Sequence, residues 1–247
     1  MKFAAIADVH GNIAALEAVL ADIAALGISE VVNLGDHVSG PLEPARTADL
    51  LMARGFPSIR GDQDRRLVEL SGTRMALDRV DYRQLTPAHL DWMAGLPETL
   101  VYRDEVLLCH GSPRDDAAYW LDRVAEIGAI VASPLAAVEA EAVGVDASLI
   151  LCAHTHLPRV VRLSDGRMAV NPGSVGLPAY DGQRPVYHAV QTGTPDACYA
   201  LLERTARGWS ITFRHVPYDT SAMATLARRN GAELWARAVE TGWWDRK

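Results

Sequence analysis

The chain has 247 residues, of which 49% are hydrophobic, and a formal charge of -7 from 24 basic and 31 acidic side chains. That length and apolar content suit one large α/β domain or two small ones with a substantial core, and the acidic balance argues against a protein that works by neutralising the backbone of polymeric nucleic acid. Three cysteines without framework spacing exclude a secreted disulfide scaffold.

The opening "MKFAAIADVHG" has one basic residue and then a short apolar run ending in Asp8, which is not the layout of a signal peptide. Within it, "FAAIADV" (3–9) suits a buried strand, and "NIAALEAVLADIAAL" (12–26) has helical spacing, with Asn12 as N-cap and Gly27 as stop. "VVNLGD" (31–36) predicts a second strand, "EPARTADLLMARG" (43–55) a helix and "FPSIRGD" (56–62) a third strand. This βαβαβ order implies a parallel sheet covered by helices. Residues 63–97 predict a helical excursion that shapes the pocket, before a strand in "EVLLCH" (105–110). The near-apolar run "IGAIVASPLAAV" (127–138) is too short to span a bilayer, so a cytoplasmic protein with no membrane partner is expected. From "ASLILCAHTH" (147–156) onward, short runs separated by "SDG", "TGTPD" and "ARG" read as antiparallel β, and a helical pair over 219–241 closes the chain. With no repeat and no linker, residues 1–247 are expected to form a single domain.

Polar residues cluster where these strands end. "DVH", "GD", "GD", "HG" and "HTH" terminate five successive strands, and strand carboxyl ends are where open α/β sheets bind ligands. Asp8, His10, Asp36, Asp62, His110, His154 and His156 thereby become seven candidate metal ligands, all carboxylate or imidazole. Asp8 and His10, like His154 and His156, are two apart, which puts both members of a pair on one side of an extended chain. Seven exceed what one tetrahedral zinc needs, whereas two cations sharing a carboxylate, expected to be Asp36, would use them all. His37, His89, His188 and His215 read as ordinary core or surface residues, although His37 adjoins the presumed bridge. Cys109 and Cys152 read as small hydrophobes.

The series "DVHGN", "GDHVSGP", "GDQD", "HGSPRD", "AHTHLP" and "NPGSVG", spread in order over residues 1–180, closely resembles the calcineurin-like metallophosphoesterases, in particular their small bacterial and archaeal phosphodiesterase branch. The resemblance implies a four-layer α/β/β/α sandwich of two mixed sheets flanked by helices. It also implies two divalent metal ions, manganese first and iron, zinc, nickel or magnesium as alternatives. Carried over, one metal takes Asp8, His10, Asp36 and His156; the other takes Asp36, Asp62, His110 and His154. The implied activity is hydrolysis of phosphodiesters or phosphomonoesters by metal-bound hydroxide, on a small phosphorylated substrate such as a nucleotide. Asp36, Asp62 and Gln63 stand at catalytic positions. Asn12, Arg65, Asn171 and Ser174 are the expected substrate contacts, the last two from the NPGS loop. An oligomer is compatible with this reading, and the alternative is a non-catalytic scaffold on the same fold.

One stretch departs from the family. Where the usual pattern is Gly-Asn-His-Asp, this chain has "GDQD" (61–64). Asp62 can still coordinate but adds a negative charge, which predicts tighter metal binding and a weaker electrophile. Gln63 has no dissociable proton near neutral pH and cannot act as a general acid.

Overall fold

In the computed structural model, which describes residues 1–245, strand β1 (Lys2–Ile6) is buried on both faces. Phe3 and Ala5 point one way, Ala4 and Ile6 the other, and none is exposed, so layers must pack on each side. Helix α1 (Ile13–Ala25) supplies one such layer. Asn12 caps it by accepting from the Ala15 N–H, and its Ile13, Leu16, Val19 and Ile23 stripe packs against Ala4 and Ile6.

After β2 (Val31–Asn33) come α2 (Pro44–Arg54), α3 (Asp62–Glu69), the single turn α4 (Arg74–Leu77) and α5 (Pro87–Gly95). Next are β3 (Leu100–Tyr102), β4 (Val106–Leu108), the hairpin β5 (Asp122–Val124) and β6 (Ile130–Ala132), α6 (Leu135–Glu141) and β7 (Leu149–Leu151). The chain continues through β8 (Arg159–Arg162), β9 (Met168–Asn171), a second hairpin of β10 (Ala179–Gly182) and β11 (His188–Gln191), and the long pair β12 (Ala197–Thr205) and β13 (Gly208–Val216). Helices α7 (Ser221–Arg229) and α8 (Glu233–Thr241) follow.

The strands form a four-stranded sheet, β13-β12-β1-β2, and a five-stranded sheet, β3-β4-β7-β9-β8. Phe3, Ala5, Val32 and Leu34 of the first meet Val106, Leu108, Leu149 and Leu151 of the second in an apolar layer between the sheets. Helices α1, α7 and α8 cover the outer face of the first sheet, and α6 with Trp120 and Leu121 covers that of the second. The molecule is thus the expected α/β/β/α sandwich with mixed sheets. Among the described residues, no helix is long and apolar enough to cross a membrane.

Two expectations need correction. The third strand in "FPSIRGD" is reduced to one parallel bridge, Asn33 to Ser58, because Pro57 has no N–H to give and Gly61 breaks the run. Sheet parallelism also differs: β1 runs parallel to β2 but antiparallel to β12, while β7, expected in an antiparallel region, runs parallel to both β4 and β9. Sequence periodicity carries no information about which distant strand inserts beside β1, so β12 could not be placed there from the pattern. The run 127–138 resolves into β6 and the start of α6, and the excursion 63–97 is helical as expected.

Candidate metal centre

The seven candidate ligands converge where the strands end. Asp8 and His10 follow β1, Asp36 follows β2, Asp62 opens α3, His110 follows β4, and His154 and His156 follow β7. Five of them are held in the left-handed region, with φ of 52° at Asp8, 49° at His10, 55° at Asp36, 66° at His154 and 59° at His156. A non-glycine residue seldom adopts this region, Asp, Asn and His being the best tolerated there, and five of them in one cluster is an unusual concentration. Strain concentrated on one set of side chains marks a functional site. Two glycines make the crowding feasible: a Cβ on Gly61 would strike the Asp36 carboxylate and amide, and one on Gly176 would strike the Val9 carbonyl.

The ligands form two groups, Asp8, His10 and His156, and Asp36, Asp62, His110 and His154. Asp36 faces both, with Oδ2 3.7 Å from His10 Nε2 and Oδ1 3.5 Å from His110 Nε2. Around them, His156 Nε2 lies 3.4 Å from Asp8 Oδ1, and His154 Nδ1 3.2 Å from Asp62 Oδ1.

The donor atoms fit cations. Nδ1 of His10 lies 2.9 Å from Ser39 Oγ and 3.2 Å from the Ser39 carbonyl; Nδ1 of His110 donates to the Leu34 carbonyl at 2.6 Å; Nδ1 of His156 donates to that of Leu177 at 2.7 Å. These bonds turn Nε2 of His110 and His156, and of His10 when its Nδ1 likewise donates, toward the cluster, where a neutral ring offers a lone pair and a charged one a proton. The Nε2 atoms of His10 and His156 lie 3.2 Å apart, a hydrogen bond when one of them carries a proton and a repulsive contact when both rings are neutral with Nδ1 donating. Both Asp8 oxygens, Asp62 Oδ1 and His110 Nε2 are buried with no hydrogen-bond partner among the described residues. A cation between such atoms removes both defects. Burial opposes charge on Asp8, yet His156, His110 and His10 outweigh it and hold its carboxyl below the usual range. Burial likewise opposes charge on His110, and Asp36, Asp62 and Asp8 overcome it, raising that imidazole well above its ordinary value. The thiols take no part: burial pushes Cys109 up to about 12 and Cys152 well above its ordinary value.

Three of the four expected substrate contacts are struts. Asn12 is buried, and its amide donates to the Gly176 carbonyl and Tyr218 hydroxyl at 2.9 Å while its oxygen caps α1. Asn171, also buried, donates to the Ala153 carbonyl and Thr155 Oγ1 and accepts from the Gly173 N–H. Ser174 donates to the Asp8 carbonyl at 2.8 Å and accepts from the Leu177 N–H. The 171–177 loop thereby ties the end of β1 to the 153–156 turn and sets the two ligand pairs in register. Arg65, the fourth, is engaged by Asp116 at 2.7 and 3.0 Å and by Glu69, and lines a separate pocket with His110.

Its neighbour Arg66 is the one that reaches the ligands, with Nη2 3.3 Å from Asp62 Oδ2. Gln63 Nε2 donates to the same oxygen at 2.8 Å, and its backbone N–H donates to Asp36 Oδ1. The added charge of Asp62 is therefore partly neutralised on its outer oxygen, while Oδ1 stays turned toward the ligand cluster. That tempers the weaker electrophile expected from sequence.

Sequence reasoning missed Asp64. Buried, it accepts from the backbone N–H groups of Asp36, His37 and Gly61 and from His37 Nδ1 at 2.7 Å, locking the Asp36 turn onto α3. Of the histidines set aside, His37 serves this lock, His89 caps α5 and bonds Asp49, and His188 bonds Tyr119 at 3.1 Å; His215 is exposed. Two cavities open on either side of His154. One, of about 500 Å³, is lined by Gln63, Arg79, Tyr180, Trp235 and Trp244 beside His10 and Asp36. Its tryptophans come from the C-terminal region, where no local pattern separates a cleft-facing aromatic from a core one. The other, of about 760 Å³, adjoins the hairpins. Tyr119 and Tyr180 share a 2.7 Å hydrogen bond between them, and Tyr180 donates to the His154 carbonyl.

A model of the calcineurin-like phosphoesterase superfamily domain matches residues 1–194. Among solved structures, a metallophosphoesterase from Sphaerobacter thermophilus is 26% identical with a TM-score of 0.72, over 94% of this chain and 95% of that one. A hypothetical protein from Pyrococcus horikoshii shares the fold over 99% of both chains, with a TM-score of 0.76 at 20% identity. No curated protein matches.

Proposed function

We propose that this chain, which belongs to the calcineurin-like phosphoesterase superfamily, hydrolyses phosphate esters at a two-metal site, with a preference for phosphodiesters and for esters with good leaving groups. The observation that carries the reading is the set of buried carboxylate oxygens without a hydrogen-bond partner and the imidazole nitrogens gathered with them in two groups at the floor of an open cleft. Asp8, His10, Asp36 and His156 would hold one cation and Asp36, Asp62, His110 and His154 the other, with manganese the first candidate for a hard oxygen and imidazole set. Such a pair of divalent cations supplies hydroxide at neutral pH and charge to neutralise the phosphoryl oxygens.

The remaining contributions come from the chain's own side chains. Asp36 presents one oxygen to each group and is fixed by the Gln63 amide. Gln63 faces the cleft with an amide that can orient an ester oxygen but holds no transferable proton, so departure of an alkoxide goes unassisted. Arg66 sets a fixed positive charge beside the oxygens of a phosphoryl group at Asp62. Trp235, Trp244 and Tyr180 give the organic half of the ester an aromatic wall.

The test is a panel of aryl phosphodiesters, aryl phosphomonoesters and alkyl phosphomonoesters on protein stripped by chelator and refilled with manganese, zinc or magnesium. Stripped protein should be inactive, manganese should restore turnover, and aryl diesters should exceed alkyl monoesters. Full activity in excess chelator would overturn the reading.

A further inference from the structure

We propose that the cavity on the hairpin side of His154 binds a second phosphate of the substrate, so that the preferred substrates are phosphate esters or anhydrides carrying at least one phosphate beyond the reacting one. This deepens the phosphoesterase reading and rests on it for the identity of the reacting group.

Three arginines, Arg66 from α3, Arg123 from β5 and Arg184 from the β10–β11 turn, line this cavity with His154 and His188, and no carboxylate lines it. In a chain of formal charge -7 such a wall is unusual, since acidic side chains are the more numerous. Arg66 is shared with Asp62. Arg123 and Arg184 make no ion pair with any described residue and are exposed. Elsewhere most arginines are matched by acids, as Arg65 is by Asp116, Arg79 by Asp81, Arg159 by Asp122 and Arg214 by Asp22.

The arginines stand on a braced scaffold. The β5–β6 turn packs so closely on the β10–β11 hairpin that a Cβ on Gly128 would strike the Tyr187 carbonyl, and within that hairpin one on Gly182 would strike the ring of its cross-strand partner His188. His188 is in turn fixed by the Val186 carbonyl at 2.8 Å and the Tyr119 hydroxyl at 3.1 Å. Because His154 borders this cavity and is also a candidate ligand, an anion seated among the arginines is a direct neighbour of the reacting phosphorus. Unpaired guanidinium groups facing one space suit phosphate, which accepts several charge-assisted hydrogen bonds at once. A lone phosphodiester would leave this wall unused.

The experiment titrates tripolyphosphate into metal-stripped protein by calorimetry, comparing wild type with the Arg123→Ala/Arg184→Ala double variant. A second double variant, Arg162→Ala/Arg207→Ala, removes two exposed arginines that do not line the cavity. Losing two charge-assisted contacts should weaken tripolyphosphate binding at least about tenfold in the first variant, and lysine at both positions should recover part of it. Equal binding by wild type and the cavity variant, or an equal loss in the remote one, would overturn the site. On manganese-loaded protein, the ratio of kcat/KM for adenosine 5′-triphosphate to that for bis(4-nitrophenyl) phosphate should fall about tenfold in the cavity variant. An unaltered ratio with both esters cleaved would overturn the subsite and spare the phosphoesterase reading. Failure to cleave either ester with any metal would sink that reading instead, with the titration still deciding for or against the anion site.

Discussion

Asp8, His10 and His156 all stand on left-handed backbone, and the loop 171–177 binds them from behind, through Ser174 to the Asp8 carbonyl and through Leu177 to the His156 ring. In the other group Asp62 and His110 stand on ordinary backbone, and Asp62 spends its outer oxygen on Gln63 and Arg66. His154, 15% exposed, has no hydrogen bond on the far side of its ring among the described residues. The contrast is between a group backed by one loop and a group held by several separate contacts. A cation in the first group meets atoms backed by the 171–177 loop, while the second includes His154, which borders both cavities.

Replacing Asp36 should erase the contrast, because its oxygens face both groups. Breaking a buried charged contact costs about 3–5 kcal/mol, so Asp36→Asn should lower kcat/KM about 10²–10⁴-fold, with both metals depleted in elemental analysis. Loss of one metal alone would remove Asp36 as the bridge.

Ser174→Ala should sharpen the contrast. Removing an outer hydrogen bond behind a ligand costs about 10–100-fold in metal affinity, and here the loss should fall on the first metal, seen as a two-phase manganese titration with only the tighter phase displaced. A rise in KM at saturating metal with unchanged affinity would instead make Ser174 a substrate contact.

Asp62→Asn is the mirror image. It removes one negative charge from the second group and should weaken that metal alone by about tenfold, while turnover at saturating manganese rises, because Arg66 then adds its charge unopposed. Lower turnover at full occupancy would show that the carboxylate, not its charge, is what the second position needs.

The smallest effect lies outside the cleft and serves as its control. Asp22 on α1 accepts from Arg214 at 2.6 and 3.0 Å and from Tyr199 at 2.6 Å; the Arg214 bond, against some opposition from burial, and then Tyr199 lower its pKa. A lowered folded value stabilises above the ordinary carboxylate range and fades as pH falls through the folded pKa. For a partly exposed pair this is about 1 kcal/mol or less. Urea midpoints of stripped wild type and Asp22→Asn should differ at pH 6 and converge as the pH falls below the ordinary carboxylate range, with metal affinities equal at neutral pH.

The candidate ligands could be grouped from the sequence because most of them sit where an apolar run stops, and a strand end is a local signal; Asp62 instead opens α3. The four layers came from the family resemblance, while the pattern itself carried a continuous apolar run at β1 and the helical repeat of α1. What lay outside reach was mostly non-local. Asn12, Asn171 and Ser174 have the residue types of substrate contacts, and only the fold shows their polar atoms consumed within the protein. Arg65 and Arg66 are neighbours on a helix, where adjacent positions differ by about 100° in direction, so the pattern could not tell which of the two reaches Asp62. The tryptophan wall and the paired hairpins come from segments far apart in sequence, with no period to connect them.

The left-handed backbone also limits how this site can change over generations. At Asp8, His10, Asp36, His154 and His156 a replacement must both offer a lone pair and tolerate positive φ, and among side chains only Asp, Asn and His combine these readily. Glutamate and cysteine, good ligands elsewhere, would carry a backbone penalty at five positions in seven. Asp62, at the first turn of a helix, and His110 are free of that filter, but His110 is held through Nδ1 by the Leu34 carbonyl. Drift in ligand identity therefore has an open route at residue 62, where this chain has an aspartate in place of the family's usual asparagine, and a narrow one around the rest of the centre.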